Sequence, residues 1–186
     1  MFYVTTPNVT FNTRITTDEA PGFAWKDMPT SEMFTGRRVV LVAVPGAFTP
    51  TCSSTHLPGY EASYNDISEL DIAEVYCICV NVSFVMNSWF KSLSIENVKP
   101  VPDGAGEFTR KMGFLIDKSN IGFGYRSWRY SMVIDNGIVE QMFIEPGFDD
   151  NAEGDPFQVS DAETMVKYLS DVIEARANAK ESTESS

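Results

Sequence analysis

The sequence predicts an α/β fold with a mixed central sheet, flanked by helices and preceded by an N-terminal hairpin. Three observations carry this. Val39-Val40-Leu41-Val42-Ala43-Val44 is a continuous, largely β-branched apolar run, the pattern of a central strand covered on both faces. A second run, Ile72 to Val80, follows after a stretch long enough for one crossover helix, and strands joined in that way lie parallel. Ser131-Met132-Val133-Ile134-Asp135 and Ile138-Val139-Glu140-Gln141-Met142-Phe143-Ile144 flank Asn136-Gly137, a turn pair that tolerates positive φ and closes an antiparallel hairpin.

Taken in order, the stretch to about Lys26 mixes Thr and Asn around a Pro21-Gly22 turn and reads as a hairpin laid on the core. Pro45 ends the first core strand. Tyr60, Tyr64, Ile67 and Leu70 then recur at helical spacing as the crossover, and Asn81 ends the second strand. Phe84, Val85, Trp89, Phe90 and Leu93 give a further apolar helix face, which Gly104 and Gly106 interrupt. Ser160-Asp161-Ala162-Glu163 has the form of a capping box, followed by Met165, Leu169, Val172 and Ile173 at helical spacing, so a packed terminal helix is expected. One domain over residues 1–174 results. Residues 175–186 hold no apolar anchor and are expected to form a disordered polar tail.

The chain of 186 residues carries 26 acidic against 14 basic side chains, a net charge of −12. Nucleic-acid binding and polybasic membrane binding are excluded as general functions, because phosphate attracts clustered Lys and Arg. No run approaches the about 18 apolar residues of a spanning helix, and the first ten residues lack the pattern of a secretory leader, so a cytoplasmic location is expected. Thiols are kept reduced there, and Cys52, Cys77 and Cys79 read as free thiols rather than a disulfide framework.

The chemistry-bearing segment is the one after the first core strand. Pro45-Gly46-Ala47-Phe48-Thr49-Pro50-Thr51 leads to Cys52 at a helix start, where unpaired backbone N–H groups and the positive helix end converge, and such a setting favours thiolate. Thr49 offers a hydroxyl that can both donate and accept. Cys77 and Cys79 alternate along a strand and face one side. With one histidine in the chain a metal site lacks ligands, and core packing is the preferred reading of both. His56, four residues after Cys52, could serve as the base of a cysteine hydrolase, but neither an orienting partner nor an oxyanion hole for a carbonyl substrate is visible.

The segment Pro45 to Tyr60 resembles the active-site loop of peroxiredoxins of the type-five subfamily. Pro45, Thr49 and Cys52 meet the Pro-x-x-x-Thr-x-x-Cys core. The likeness continues through Val80-Asn81, Phe84-Val85-Met86-Asn87, Gly113, Arg129-Tyr130-Ser131-Met132-Val133 and Gly137-Ile138-Val139, and Asp155 to Ala162 is similar to the peroxidase half of bacterial peroxiredoxin–glutaredoxin hybrids. This resemblance implies a thioredoxin-like fold and a thiol-dependent peroxidase acting on hydrogen peroxide and organic hydroperoxides, with neither metal nor bound organic cofactor. It makes Cys52 the peroxidatic cysteine, Arg129 and Thr49 its polar cradle and Pro45 a shield against water, and it implies a structural role for His56. Arg126 is expected as a partner of Arg129, and Phe123 as a wall of the mouth.

The resemblance leaves the reductant open. Glutathione with a separate glutaredoxin is preferred, thioredoxin is an alternative, and plant-type relatives would make Cys77 a resolving thiol. It also implies a homodimer formed around the active-site loops. A redox sensor or holdase on the same fold is the rival reading. Val82 stands where relatives usually carry aspartate, which removes a helix cap that Ser83 is expected to replace.

Overall fold

The computed structural model describes residues 4–184. The amino-terminal hairpin is β1 (Thr10–Thr16) and β2 (Phe23–Pro29), antiparallel. A short α1 (Thr30–Phe34) leads into β3 (Arg38–Val44), buried at every position. After the site loop come a π-helical turn (Cys52–His56), α2 (Leu57–Ala62), α3 (Tyr64–Ser68) and β4 (Glu74–Cys79). Then follow α4 (Ser83–Ser92), β5 (Lys99–Pro102), α5 (Glu107–Lys111), β6 (Leu115–Asp117), a 3-10 turn (Ser119–Ile121) and β7 (Tyr125–Ser127). The chain closes with β8 (Tyr130–Asp135), β9 (Ile138–Ile144) and α6 (Ala162–Glu184).

The central sheet has the order β5-β4-β3-β8-β9; β3, β4 and β5 are parallel, and β8 and β9 are antiparallel additions. Alternation along β3 splits the core in two. Val40, Val42 and Val44 meet Leu57, Tyr60, Trp89, Met165 and Leu169 on one face, while Val39, Leu41 and Ala43 meet Phe11, Phe34 and Phe108 on the other. At about 25 cal/mol per Å² of apolar surface removed from water, these two layers are the main stabilising contribution. In register Val42 lies beside Cys77 and Val44 beside Cys79.

Four local expectations need revision. The crossover is a π turn and two short helices broken at Ser63 (φ −92°, ψ 7°), although Tyr60 and Ile67 face the core as their spacing predicts. Asp161, not Ser160, caps α6: its carboxylate accepts from Thr164 N–H (2.9 Å) and Thr164 Oγ1–H (2.7 Å), because the Ser160 hydroxyl donates to the buried Glu145 instead (2.7 Å). The Ser83 hydroxyl does not cap α4 but accepts the Arg14 N–H (2.8 Å), tying the hairpin to that helix. Residues 175–184, expected as a disordered tail, continue α6. Ala, Glu, Arg and Lys are good helix formers, and no Gly or Pro stops a helix already nucleated by the packed Met165 and Leu169.

Candidate active site

The parallel strands deliver the site loop at their carboxyl ends, beyond Val44. Thr49 turns the chain back: its hydroxyl donates to Gly46 O at 2.7 Å, and Ser53 N–H donates to Thr49 O at 3.0 Å. A Cβ on Gly46 would lie 2.9 Å from the Thr49 methyl Cγ2, so glycine leaves room for the Thr49 side chain to fold back on the turn. Phe48 sits at φ 61°, its ring exposed. The loop is fastened to the end of β4 through Asn81, whose Oδ1 accepts both Ala47 N–H (3.1 Å) and Cys79 S–H (2.9 Å). From the other side Trp89 Nε1–H donates to Ser53 Oγ (2.9 Å).

Cys52 opens the π turn, whose wider ring is closed by Leu57 N–H donating to Cys52 O. Such turns cluster at functional sites because they re-aim side chains on an otherwise helical path. Here Cys52 and His56 both point inward to one guanidinium. Arg129, 1% exposed, approaches from the segment before β8, with Nη1 3.5 Å from Cys52 Sγ and 3.0 Å from His56 Nδ1. Its Nη2 donates to Asp155 Oδ1. Its Nε is buried without a partner among the described residues. Burial works against its charge, but Cys52 and Asp155 outweigh that and raise its pKa further. The cation is fixed.

The hydrogen-bond partners decide the state of His56. Nε2 faces the Ser160 carbonyl at 3.0 Å, which can only accept, and Nδ1 faces a guanidinium, which can only donate. The ring is therefore neutral with its proton on Nε2. Burial first, and the neighbouring Arg129 second, lower its pKa to about 3. The Nδ1 lone pair is taken, so the ring cannot act as the base of a hydrolase. Behind it Glu145, 1% exposed, accepts the N–H groups of Gln158, Val159 and Ser160, which fixes the carbonyl that His56 leans on. Tyr60 O–H donates to the same carbonyl at 2.9 Å.

Of the residues singled out by sequence, Cys52, Thr49, Pro45 and Arg129 come together. Thr49, Pro45, Arg129 and Asp155 line one pocket of about 290 Å³, with Phe123, Ile121 and Trp128 as its apolar wall. Arg126 does not pair with Arg129: its Nη1 donates to Val80 O at 2.6 Å, because β7 carries it to the end of β4. Cys77 and Cys79 are free thiols in the core. Burial is the main cause that pushes Cys79 up to about 12 and Cys77 well above the ordinary thiol range, so both stay protonated. His56, Asp155, Ser160 and Glu145 were not assigned to the site from sequence. Only His56, four residues after Cys52, gave a local signal.

Among the described residues no three His, Cys, Asp or Glu side chains gather as metal ligands, and no helix is long and apolar enough to cross a membrane. The arrangement can hold an anionic sulfur and an adjacent oxygen-rich group against one fixed cation, in a small apolar cleft.

Residues 17–166 match the family model described as Redoxin. Over 166 residues the chain is 52% identical to a peroxiredoxin of Synechocystis, covering 88% of both proteins. It is 50% identical over 163 residues to the hybrid peroxiredoxin of Haemophilus influenzae, covering 88% of this chain and 64% of that longer protein. The crystal structure of the Plasmodium falciparum antioxidant protein, a 1-Cys peroxiredoxin, superposes with a TM-score of 0.85 at 34% identity, over 90% of this chain and 98% of that one.

Proposed function

Because the chain belongs to the peroxiredoxin family and is a thiol-dependent peroxidase with a thioredoxin-like fold, we propose that Cys52 is its peroxidatic thiol, recycled by glutathione and a glutaredoxin. The observation that carries the assignment is the Arg129 guanidinium, 3.5 Å from the Cys52 sulfur and shielded from water. The Cys52 thiolate attacks one peroxide oxygen in line with the O–O bond. That bond breaks, a sulfenic acid forms, and the departing oxygen leaves as water or alcohol after taking a proton. Negative charge moves from sulfur to the leaving oxygen. Arg129 can follow it without reorganisation, and Thr49 can donate to one oxygen while accepting from another. Pro45 closes the cleft against water. Ile121, Phe123 and Trp128 give the pocket room for the alkyl part of an organic hydroperoxide.

The sulfenic acid condenses with glutathione to a mixed disulfide and water. A second thiol, on glutaredoxin, then releases Cys52 by exchange. Two features support a cycle with one reacting cysteine. Cys77 and Cys79 are held as buried thiols, and relatives of this chain include a 1-Cys peroxiredoxin and a hybrid protein. The working unit is a homodimer: Phe48, exposed on the site loop, and Val82, exposed next to the Asn81 that fastens that loop, are apolar groups that a second copy would cover.

Purified protein supplied with a hydroperoxide, glutathione and glutaredoxin is expected to consume peroxide over many turnovers, and Cys52→Ser to consume none. Full turnover by the serine variant would remove Cys52 from the mechanism. Intact mass after one equivalent of peroxide separates the cycles. A gain of one oxygen, or a glutathione adduct, supports the cycle above, while a loss of two hydrogens mapped to Cys52 and Cys77 replaces it with an internal disulfide. One equivalent consumed, followed by stable capture of a partner protein, would favour a sensor.

A further inference from the structure

On the side of the sheet away from Cys52, a second cleft runs between the hairpin and the β5 edge, about 360 Å³ in volume. Arg14, Lys26, Arg37 and Lys99 line it, with Glu32 as its one carboxylate. In a chain with 14 basic residues and a net charge of −12, that is an unusual gathering of cations. Among the described residues none of the four makes an ion pair, whereas Arg38, Lys111, Arg129, Lys167 and Arg176 all do. The fold offers these charges backbone carbonyls but no carboxylate: Arg37 Nη1 meets Met33 O at 3.4 Å, and Lys99 Nζ meets Glu96 O at 3.5 Å. Arg14 lies 3.3 Å over the Phe23 ring and 4.5 Å from that of Phe84, a stacking that pins its plane. Its Nε is buried without a partner among the described residues. Arg37 donates to Tyr76 Oη at 3.0 Å, leaving the phenol proton free to donate in turn.

Like charges held together repel unless an anion answers them. Cations set by stacking and by a phenol are preorganised, so a ligand has less side-chain freedom to remove on binding. Met33, Pro100 and Pro102 supply an apolar floor. We propose that this cleft binds a small organic molecule bearing two or more anionic groups, carboxylate or phosphate. The site is independent of the peroxidase reading and shares no residue with the pocket at Cys52.

Calorimetric titration of the full chain with inorganic tripolyphosphate and, separately, with citrate tests this against sodium chloride at matched ionic strength. Saturable one-site binding of either is expected. Triphosphate alone identifies a phosphate ligand, citrate alone a polycarboxylate, and both together a site that reads charge. Arg37→Gln should weaken binding, as should the double variant Lys26→Gln/Lys99→Gln, whose exposed side chains hold no fold together, by about fivefold. Peroxidase activity without added anion should be unchanged in these variants. Absence of saturable binding overturns the proposal. Equal weakening by Lys91→Gln/Arg110→Gln, which removes the same charge elsewhere, does so too.

Discussion

Two buried arginines, Arg38 and Arg129, sit on opposite sides of this molecule and are used in opposite ways. Arg38, 7% exposed, is closed. Its Nε and Nη2 grip Glu140 bidentately at 2.8 and 2.6 Å, and Nη1 donates to Leu70 O at 3.3 Å. Tyr168 O–H and Arg176 complete the shell of Glu140, so the pair bolts α6 to the sheet. The Arg38 hydrogen bond is the largest cause holding the Glu140 carboxyl below its ordinary range. Arg129 is more deeply buried and left open. It faces a sulfur, a neutral imidazole and a half-exposed carboxylate, and its Nε donates to nothing described. A buried donor without a partner costs about 1–3 kcal/mol. The fold tolerates at the site an incompleteness that it does not tolerate at the bolt, and in the proposed mechanism that incompleteness leaves bonding capacity for a substrate oxygen.

The largest expected effect follows from removing the open arginine. Arg129→Ala should slow the first oxidation of Cys52 by about a hundredfold or more, the range lost with one preorganised donor. Single-turnover tryptophan fluorescence would follow this, since Trp89 bonds to Ser53 beside Cys52. Equal rates in the two proteins would take Arg129 out of the chemistry. Arg38→Met should do the converse, leaving the oxidation rate intact while lowering stability in urea by about 2–3 kcal/mol. That is below the usual cost of stranding a buried charge, because Tyr168 and Arg176 still serve Glu140. If Arg38→Met slowed oxidation as strongly as it destabilised the fold, the division of labour would fail.

The smallest effect concerns His56. An unfolded histidine takes a proton near pH 6.5, whereas the folded one resists until about 3. The unfolded state therefore binds more protons between those values. The stability from His56 is fully present above about pH 6.5 and is lost as pH falls. Between pH 7 and pH 5 the loss should be about 2 kcal/mol at 1.36 kcal/mol per unit. His56→Leu should flatten that slope, and should slow oxidation by about tenfold through a less well held Arg129. His56→Asn, whose amide oxygen can accept, should recover part of the rate. An unchanged stability slope in His56→Leu would mean that the ring is not held neutral.

Much of this was legible in the residues. The strands at Val39–Val44 and Ile72–Val80 announce themselves because burial on both faces demands unbroken apolar character, and Asn136-Gly137 marks the hairpin because few other pairs fit its turn. The loop to Cys52 was readable for a similarly local reason, since Thr49 lies three residues before a cysteine at a helix start, while the role of Pro45 came from the resemblance. Arg129 entered only through resemblance, and nothing near it in sequence speaks of Cys52, 77 residues away. The Ser160 carbonyl on which His56 leans is 104 residues distant. A backbone oxygen leaves no trace in residue type. Ser160 was misread for a related reason: the capping pattern is local, but a buried Glu145 from another strand end outbids it for the hydroxyl.

The complete burial of Cys52 also sets the rhythm of the cycle. The 290 Å³ pocket is lined by Thr49 and Arg129 but not by the sulfur itself, and in the proposed cycle a tripeptide thiol is too bulky to touch that sulfur while Asn81 and Trp89 hold the loop in place. In that cycle oxidant and reductant would be admitted by different conformations. If that cycle holds, the second half of each turnover would wait for a local opening of the π turn, and the opening frequency, rather than the affinity for thiol, would be the clock of the enzyme at high reductant.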